Sequence, residues 1–276
     1  MELRQFAERV LFSASLDEKL ERVPGPLTDI DPGPPTSVEL PVRPPGLAFA
    51  ARRTAPQMPK GQALRAPRSR AIAHHIMANH ELQALEVMAL MMLKFPDAPS
   101  AFRSGLAGIM AEEQRHTTLH RERCADLGHQ FGDFPVNGWI WSTALRYRSP
   151  LEYVAGLPLV FEGANLDHSV EFEQYFAAVG DHSSAAIMRA IHRDEIRHVA
   201  FGLHWLRQWK SPELSDWEAL QACLHWPIRA TRAKGDRFQR EARQMAGLSP
   251  EFVDNLEACA DDLQSRPAAP DPKTGG

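Results

Sequence analysis

The sequence predicts an all-α protein built around a bundle of four long helices. Three observations lead to that class. From residue 67 the pattern turns helical, and little of the remainder reads as strand. Start and stop signals bracket four long segments. The short connections pair these segments into two antiparallel hairpins, which one long crossover joins.

Residues 1–66 read as an N-terminal helix followed by an arm. The helical part covers residues 2–22 as one or two short helices. Most of the prolines then fall within 24–59, in strings such as PGPLTDIDPGPP and VRPPG. Such a stretch sustains neither helix nor central strand, so it is expected to be extended. Its apolar residues Leu40, Val42, Leu47 and Phe49 suit an arm lying along the bundle.

Residues 67–210 are expected to form the bundle. The first long helix runs from 67 to about 95 and stops before Pro96. The second runs from 101 to about 127, with Ser100 as N-cap and Gly128 as C-cap. A crossover of about 20 residues, 129–148, follows. The third helix opens on Ser149-Pro150-Leu151-Glu152, which sets a capping serine, a proline in the first turn and a glutamate at the third position. It ends near Gly180, and the fourth runs from Asp181 to about 210. Ser211-Pro212 and Ser249-Pro250 repeat the start signal, predicting helices in a C-terminal extension over 211–264. The tail, 265–276, is expected to be disordered.

Composition excludes several classes. Hydrophobic residues make up 43% of the 276 and charged residues 24%, an ordinary globular balance. A net charge of −4 gives no global attraction to nucleic acid or anionic membrane. Cys124, Cys223 and Cys259 are far apart and form no CxxC pair, which argues against a disulfide framework or a thiolate metal site. The N-terminus carries charges throughout and lacks the apolar core of a signal peptide. The most apolar run, Leu85 to Leu93, is too short to span a bilayer. A cytoplasmic protein without a membrane segment is expected.

The chemistry sits in two matching strings. Glu112-Glu113-Gln114-Arg115-His116 and Asp194-Glu195-Ile196-Arg197-His198 both read acid-Glu-x-Arg-His. Three residues advance a helix by about 300°, so each Glu and His point to nearly the same side, one turn apart. That arrangement offers a metal ion one carboxylate and one imidazole. One ExxH arises often by chance; two copies with the same flanks on two long helices are far more specific.

The other two helices supply Glu81 and Glu162, each within the pattern Glu-x-x-x-Leu-acid. Glu81 lies 32 residues before Glu113, and Glu162 lies 33 before Glu195. The midpoints of these pairs fall at Asp97 and beside Val179, inside or next to the turns located from Pro, Gly and capping signals. Both pairs should therefore face one another at mid-bundle. Six ligands, Glu81, Glu113, His116, Glu162, Glu195 and His198, suit two ions with open coordination positions. Iron is expected, with manganese or a mixed Mn/Fe pair as the alternative.

These residues resemble the ferritin-like, diiron-carboxylate superfamily, and the acid-Glu-x-Arg-His strings look like those of its O2-activating hydroxylases and ribonucleotide reductase small subunits. From VLFSASLDEKL through HELQALEVMAL, EEQRH and DEIRHVAFG to ARQMAGLS, the chain resembles an uncharacterised bacterial ferritin-like family, a domain of unknown function related to the tRNA-modifying diiron hydroxylase. The resemblance covers most of residues 8–250. It implies the ferritin-like fold and the six ligands, with Glu113 and Glu195 bridging the ions. It also implies that Glu112 and Asp194 orient an imidazole of the opposite hairpin. Asn165, one turn from Glu162, could face the site. His192, one turn before Glu195, could line a pocket or sit in plain core. Glu86 and Asp167, five residues after Glu81 and Glu162, read as interhelical or surface acids, with Glu86 as the alternative ligand to Glu81, and His80 and His168 as packing residues.

The expected activity is that of an oxidoreductase, an oxygenase or hydroxylase of the monooxygenase type. It would act on RNA or a small metabolite, with O2 and an external reductase or ferredoxin as partners. A ferroxidase without an organic substrate is the alternative. A radical generator ranks lower, because Tyr153 and Tyr175 fall off the ligand face and Tyr147 lies in the crossover. The basic stretches 52–70 and 229–243 read as solvated faces, or else as an RNA-contacting edge. A homodimer is compatible with all of these.

Overall fold

A computed structural model describes residues 1–51 and 53–260. The tail expected to be disordered, and Arg52 of the first basic stretch, lie outside the described residues. The elements in chain order begin with α1 (Leu3–Phe12) and α2 (Leu16–Leu20). Next come α3 (Pro67–Lys94), α4 (Ser100–Asp126), α5 (Trp139–Ala144) and α6 (Pro150–Gly156). A π-helical segment (Leu157–Glu162) joins α6 to α7 (Gly163–Ala178), and α8 (His182–Trp209) follows. The chain closes with α9 (Asp216–Cys223), α10 (Arg240–Met245) and α11 (Pro250–Ala258). The described residues are all-α, with two isolated bridges in place of any sheet.

Four long rods form the centre: α3, α4, the continuous run α6–π–α7, and α8. α3 packs along α4, α7 along α8, and α4 against α8. Gly180 takes φ +78° at the second hairpin turn, a left-handed conformation that a side chain would strain. From Ala71 to Leu93 nearly every side chain of α3 is buried. A helix can be apolar all round only when it is covered all round, and α4, α1 and α5 supply the cover. Leu3, Phe6, Ala7, Val10 and Leu11 of α1 belong to the same core as the bundle. Burying each of the larger ones contributes roughly 1.5–3 kcal/mol.

The arm lies along the bundle. Thr36 N donates to Leu93 O at 2.8 Å, and Trp141 Nε1 donates to Glu39 O at 2.9 Å. Its apolar contacts differ in part from expectation. Leu47 is buried and Phe49 half-buried, but Leu40 and Val42 face solvent while Val38 turns inward. The hydrogen bond from Val42 N to Leu11 O at 2.8 Å ties the arm to the end of α1 at this point.

Local signals give most helix ends, with two corrections. α4 has Pro99 at its N-cap and Ser100 already helical, with no side-chain cap. The helix expected at Ser211-Pro212 begins instead at Asp216, where Ser215 and Glu218 form a reciprocal capping box. The third rod departs from a plain helix at Pro158. A proline lacks the N–H that a regular turn needs, and the backbone widens there, with Gly163 N bonding back to Pro158 O. Gly202 of α8 makes room for this segment, because a Cβ at that position would collide with the Pro158 ring.

Candidate metal centre

The six candidate ligands come from all four rods: Glu81 from α3, Glu113 and His116 from α4, Glu162 from the end of the π segment, and Glu195 and His198 from α8. All are buried. They form two groups able to hold a metal ion, Glu81/Glu113/His116/Glu195 and Glu113/Glu162/His198, with one ligand atom per residue lying within 4.8 Å of the others. Glu113 belongs to both groups. Its Oε1 lies 3.1 Å from His198 Nδ1, and its Oε2 lies 3.6 Å from His116 Nδ1. His198 Nδ1 is also 3.6 Å from Glu195 Oε2.

Each imidazole is gripped from behind by the other hairpin. His116 Nε2 on α4 lies 3.1 Å from Asp194 Oδ2 on α8, and His198 Nε2 on α8 lies 2.8 Å from Glu112 Oε2 on α4. The acids are held in turn: Arg115 pairs with Asp194, and Arg197 pairs with both Asp194 and Glu112. The crossed pairs fix both rings so that each presents Nδ1 inward, the arrangement by which ligand histidines are usually oriented.

The inward atoms themselves lack partners. Both oxygens of Glu113 and of Glu162, Glu195 Oε2, and Nδ1 of His116 and His198 are buried without a hydrogen bond. Buried polar atoms are almost always satisfied, so this concentration of bare acceptors fits a cation-binding site. The electrostatics agree. Burial and the charges of Glu113 and Glu195 push the Glu81 carboxyl well above the usual range. Burial, with Glu195 and Glu113, does the same to Glu162 against the opposing pull of His198. Burial also opposes ionisation of Glu113, but His116 and His198 outweigh it and hold that carboxyl low. For His116 burial is outweighed by Glu113 and Asp194, and its pKa rises to about 9. Carboxylates crowded this way are relieved by positive charge, and a metal ion supplies it without protons.

The remaining candidates divide between places the sequence anticipated and places it did not. Asn165 Nδ2 donates to Glu195 Oε1 at 3.1 Å, so it faces the site. His192 shares a hydrogen bond with Ser169 Oγ at 2.8 Å and belongs to neither ligand group. Glu86 and Asp167 are fully buried rather than superficial. Lys19 and Arg43 of the N-terminal region pair with Glu86, and Arg243 of the C-terminal extension pairs with Asp167. His120, one turn beyond His116, was overlooked; its spacing of four from a ligand was the available signal. Its Nε2 lies 3.9 Å from Glu81 Oε1, and its Nδ1 lies 2.8 Å from His74 Nδ1. His74 Nε2 in turn meets Ser184 Oγ at 2.8 Å. Burial first, then neighbouring cations, push His74 down to about 3, so the ring is neutral.

Tyr147 and Tyr153 are buried with unpartnered hydroxyls, packed edge to face at 6.0 Å between centroids. Burial and then the charge of Glu162 push both phenols to higher pKa, so they stay protonated. The wider π turn between Tyr153 and Glu162 alters the angular relation that regular helical spacing implies.

A cavity of about 220 Å³ opens onto Glu81, Glu113 and Glu162. Trp139 and Ile140 of α5, with Leu157 and Phe161 of the π segment, supply apolar wall, and Asn137, Arg232, His80, Asn165 and His168 are its other polar residues. A second cavity of about 230 Å³, lined by Met58, Met77, Phe172 and Met188, shares His80, Glu81, Asn165 and His168 with the first. His80 and His168 thus line cavities rather than only packing.

Many cations of the two basic stretches are engaged internally. Lys60 pairs with Glu171, Arg70 with Asp181, Arg240 with Asp254 and Glu257, and Arg243 with Asp167. Among the described residues no helix is long and apolar enough to cross a membrane.

An uncharacterized protein of Haemophilus influenzae is 33% identical to this chain over 106 residues, 38% of this chain and 37% of that protein. The matched region thus spans little more than a third of the relative's length. No solved structure matches. A family model matches residues 4–254, nearly the whole described chain, and on that ground the chain belongs to the family described as "Protein of unknown function (DUF455)".

Proposed function

We propose that this chain is a ferritin-like, diiron-carboxylate oxidoreductase that activates O2 to oxidise an organic substrate. The observation that carries the reading is the pair of ligand groups sharing Glu113, with bare atoms turned inward and each imidazole clamped by the opposite hairpin. Glu81, His116, Glu113 and Glu195 would hold one ion; Glu162, His198 and Glu113 would hold the other. Bound iron supplies the redox chemistry, with electrons restored by an external donor.

The chain's own residues do the rest. Glu113 ties the two positions together. Glu112 and Asp194 keep the imidazoles in the tautomer that offers Nδ1. Asn165 holds one oxygen of Glu195 by hydrogen bond. Trp139, Phe161 and Leu157 exclude water from the space beside the carboxylates. That space is what favours an organic substrate over simple iron oxidation.

The test is anaerobic Fe(II) titration followed by O2, read by optical and Mössbauer spectroscopy beside a Glu113→Ala/Glu195→Ala control. Saturation at two irons per chain and a spin-coupled ferric pair, both absent from the control, is the expected result. Iron uptake continuing well beyond two per chain would favour the ferroxidase alternative. Iron binding unchanged in the control would sink the site.

A further inference from the structure

The first cavity has a polarity that its volume alone does not convey. The buried carboxyls of Glu81, Glu113 and Glu162 line it, and Trp139, Ile140, Leu157 and Phe161 supply apolar wall. Arg232, on a short turn (Ala230–Ala233) of the C-terminal extension, also lines it and is exposed. The Arg232 guanidinium lies over the Trp139 ring, 4.7 Å from its centroid. Among the described residues it has no acidic partner, unlike Arg240 and Arg243 of the same stretch. A guanidinium held over a ring face keeps its N–H groups in its own plane, and those that point away from the ring can donate to an oxyanion in a fork. Asn137 is arranged to help. Its Oδ1 accepts from Trp139 N at 3.1 Å, which leaves the Nδ2 amide as a second donor at the cavity.

We infer that this cavity binds a small organic anion, held by Arg232 and Asn137 at its oxyanion end and with an apolar body directed toward the buried carboxyls. The inference rests on the proposed metal centre, because it names the substrate class of that site. The orientation follows from charge. Arg232, exposed at the mouth, is the one arginine or lysine among the lining residues and attracts the anionic head, while the glutamates lie buried. The apolar body then lies along the Trp139 and Phe161 rings, which pack edge to face with centroids 5.1 Å apart, and its far end sits beside the metal ligands. The size limit follows from volume: about 220 Å³ lies below the roughly 300–1,000 Å³ of pockets for drug-sized ligands.

The test compares hexanesulfonate with hexan-1-ol, two probes of one chain length. Sulfonates are poor ligands for iron, so a preference for the anion reports the protein. Affinities are measured by calorimetry on the full chain loaded anaerobically with Fe(II), and iron per chain is counted in the same samples. Wild type should bind the sulfonate at least tenfold more tightly than the alcohol. Arg232→Gln should erase that preference at unchanged iron content and melting temperature, and Arg232→Lys should restore part of it. Equal affinity for the two probes in wild type, or a preference that survives in R232Q, overturns the inference. Two irons per chain without the preference removes the anion site alone. The preference without bound iron supports the anion site and removes the metal reading alone.

Discussion

In the α3–α4 hairpin, Glu86 follows the candidate ligand Glu81 by five residues and is buried against Lys19 and Arg43. In the hairpin made by the third rod and α8, Asp167 follows Glu162 by the same interval and is buried against Arg243. The two hairpins thus repeat more than their ligands. Each offers one buried acid to an extension of the chain, the first to the N-terminal region and the second to the C-terminal one. Their ends differ. Neither α3 nor α4 has a side-chain cap, whereas Ser149 caps α6 and Asp181 caps α8. Their courses differ as well: α3 is regular, and the third rod opens into a π turn that ends on Glu162. The lesson is that the ligands and the buried acids match between the hairpins, while the caps and the course of the rods do not.

The sharpest way to break the symmetry is through the shared ligand. Glu113→Ala should abolish both metal positions, while Glu162→Ala leaves the four-residue group around Glu81 whole and retains one ion per chain. Elemental analysis after anaerobic loading and desalting reads the difference, and equal losses in the two variants would contradict the division into groups.

Next come the two buried anchors. Removing one partner of a buried ion pair costs about 3–5 kcal/mol. Asp167→Ala should fall in that range in urea unfolding. Glu86→Ala should cost more, since it strands two buried cations rather than one. The reverse order would mean that the arm contributes less to stability than the extension.

The crossed acids should act across the hairpins. Asp194→Ala should weaken metal held by His116, and Glu112→Ala metal held by His198, each by about 10–100-fold. Metal titration by calorimetry would resolve the two steps. A variant that weakens only the position of its own helix would refute the crossed arrangement.

A smaller effect comes from pH. His116 is raised to about 9, and a metal ion takes the neutral ring. Below about pH 9 binding must therefore displace a proton from this residue. Affinity at that position should rise about tenfold per pH unit up to that point and level off above it. Proton release measured in two buffers of different ionisation enthalpy checks the sign. The smallest change concerns the caps: Ser149→Ala should cost about 1 kcal/mol, with no counterpart at Pro99, where no side chain caps the helix.

Much of this was legible before any coordinates. The two acid-Glu-x-Arg-His strings predict a shared face because rotation along a helix is fixed by its own geometry. Glu81 and Glu162 were readable because turn signals at Pro96–Ser100 and Gly180 set the hairpin midpoints. Glu112 and Asp194 followed from family resemblance, and the coordinates place each against the opposite imidazole. His120 was readable too, at a spacing of four from His116, but a lone histidine on a buried face carries no signal of its partner.

What the sequence by itself determined was therefore local: helix class, most helix ends, and the grouping of ligands on helical faces. These depend on backbone geometry and capping chemistry within a few residues. The tertiary structure alone decided that Glu86 and Asp167 are buried anchors, that Pro158 widens a helix, with Gly202 giving it room, and that His192 turns to Ser169. It also decided that Arg232 lies over the Trp139 ring at the mouth of the cavity. Each of these depends on a partner far away in sequence, and the energy of a buried charge is set by the partner that meets it, which no local pattern specifies.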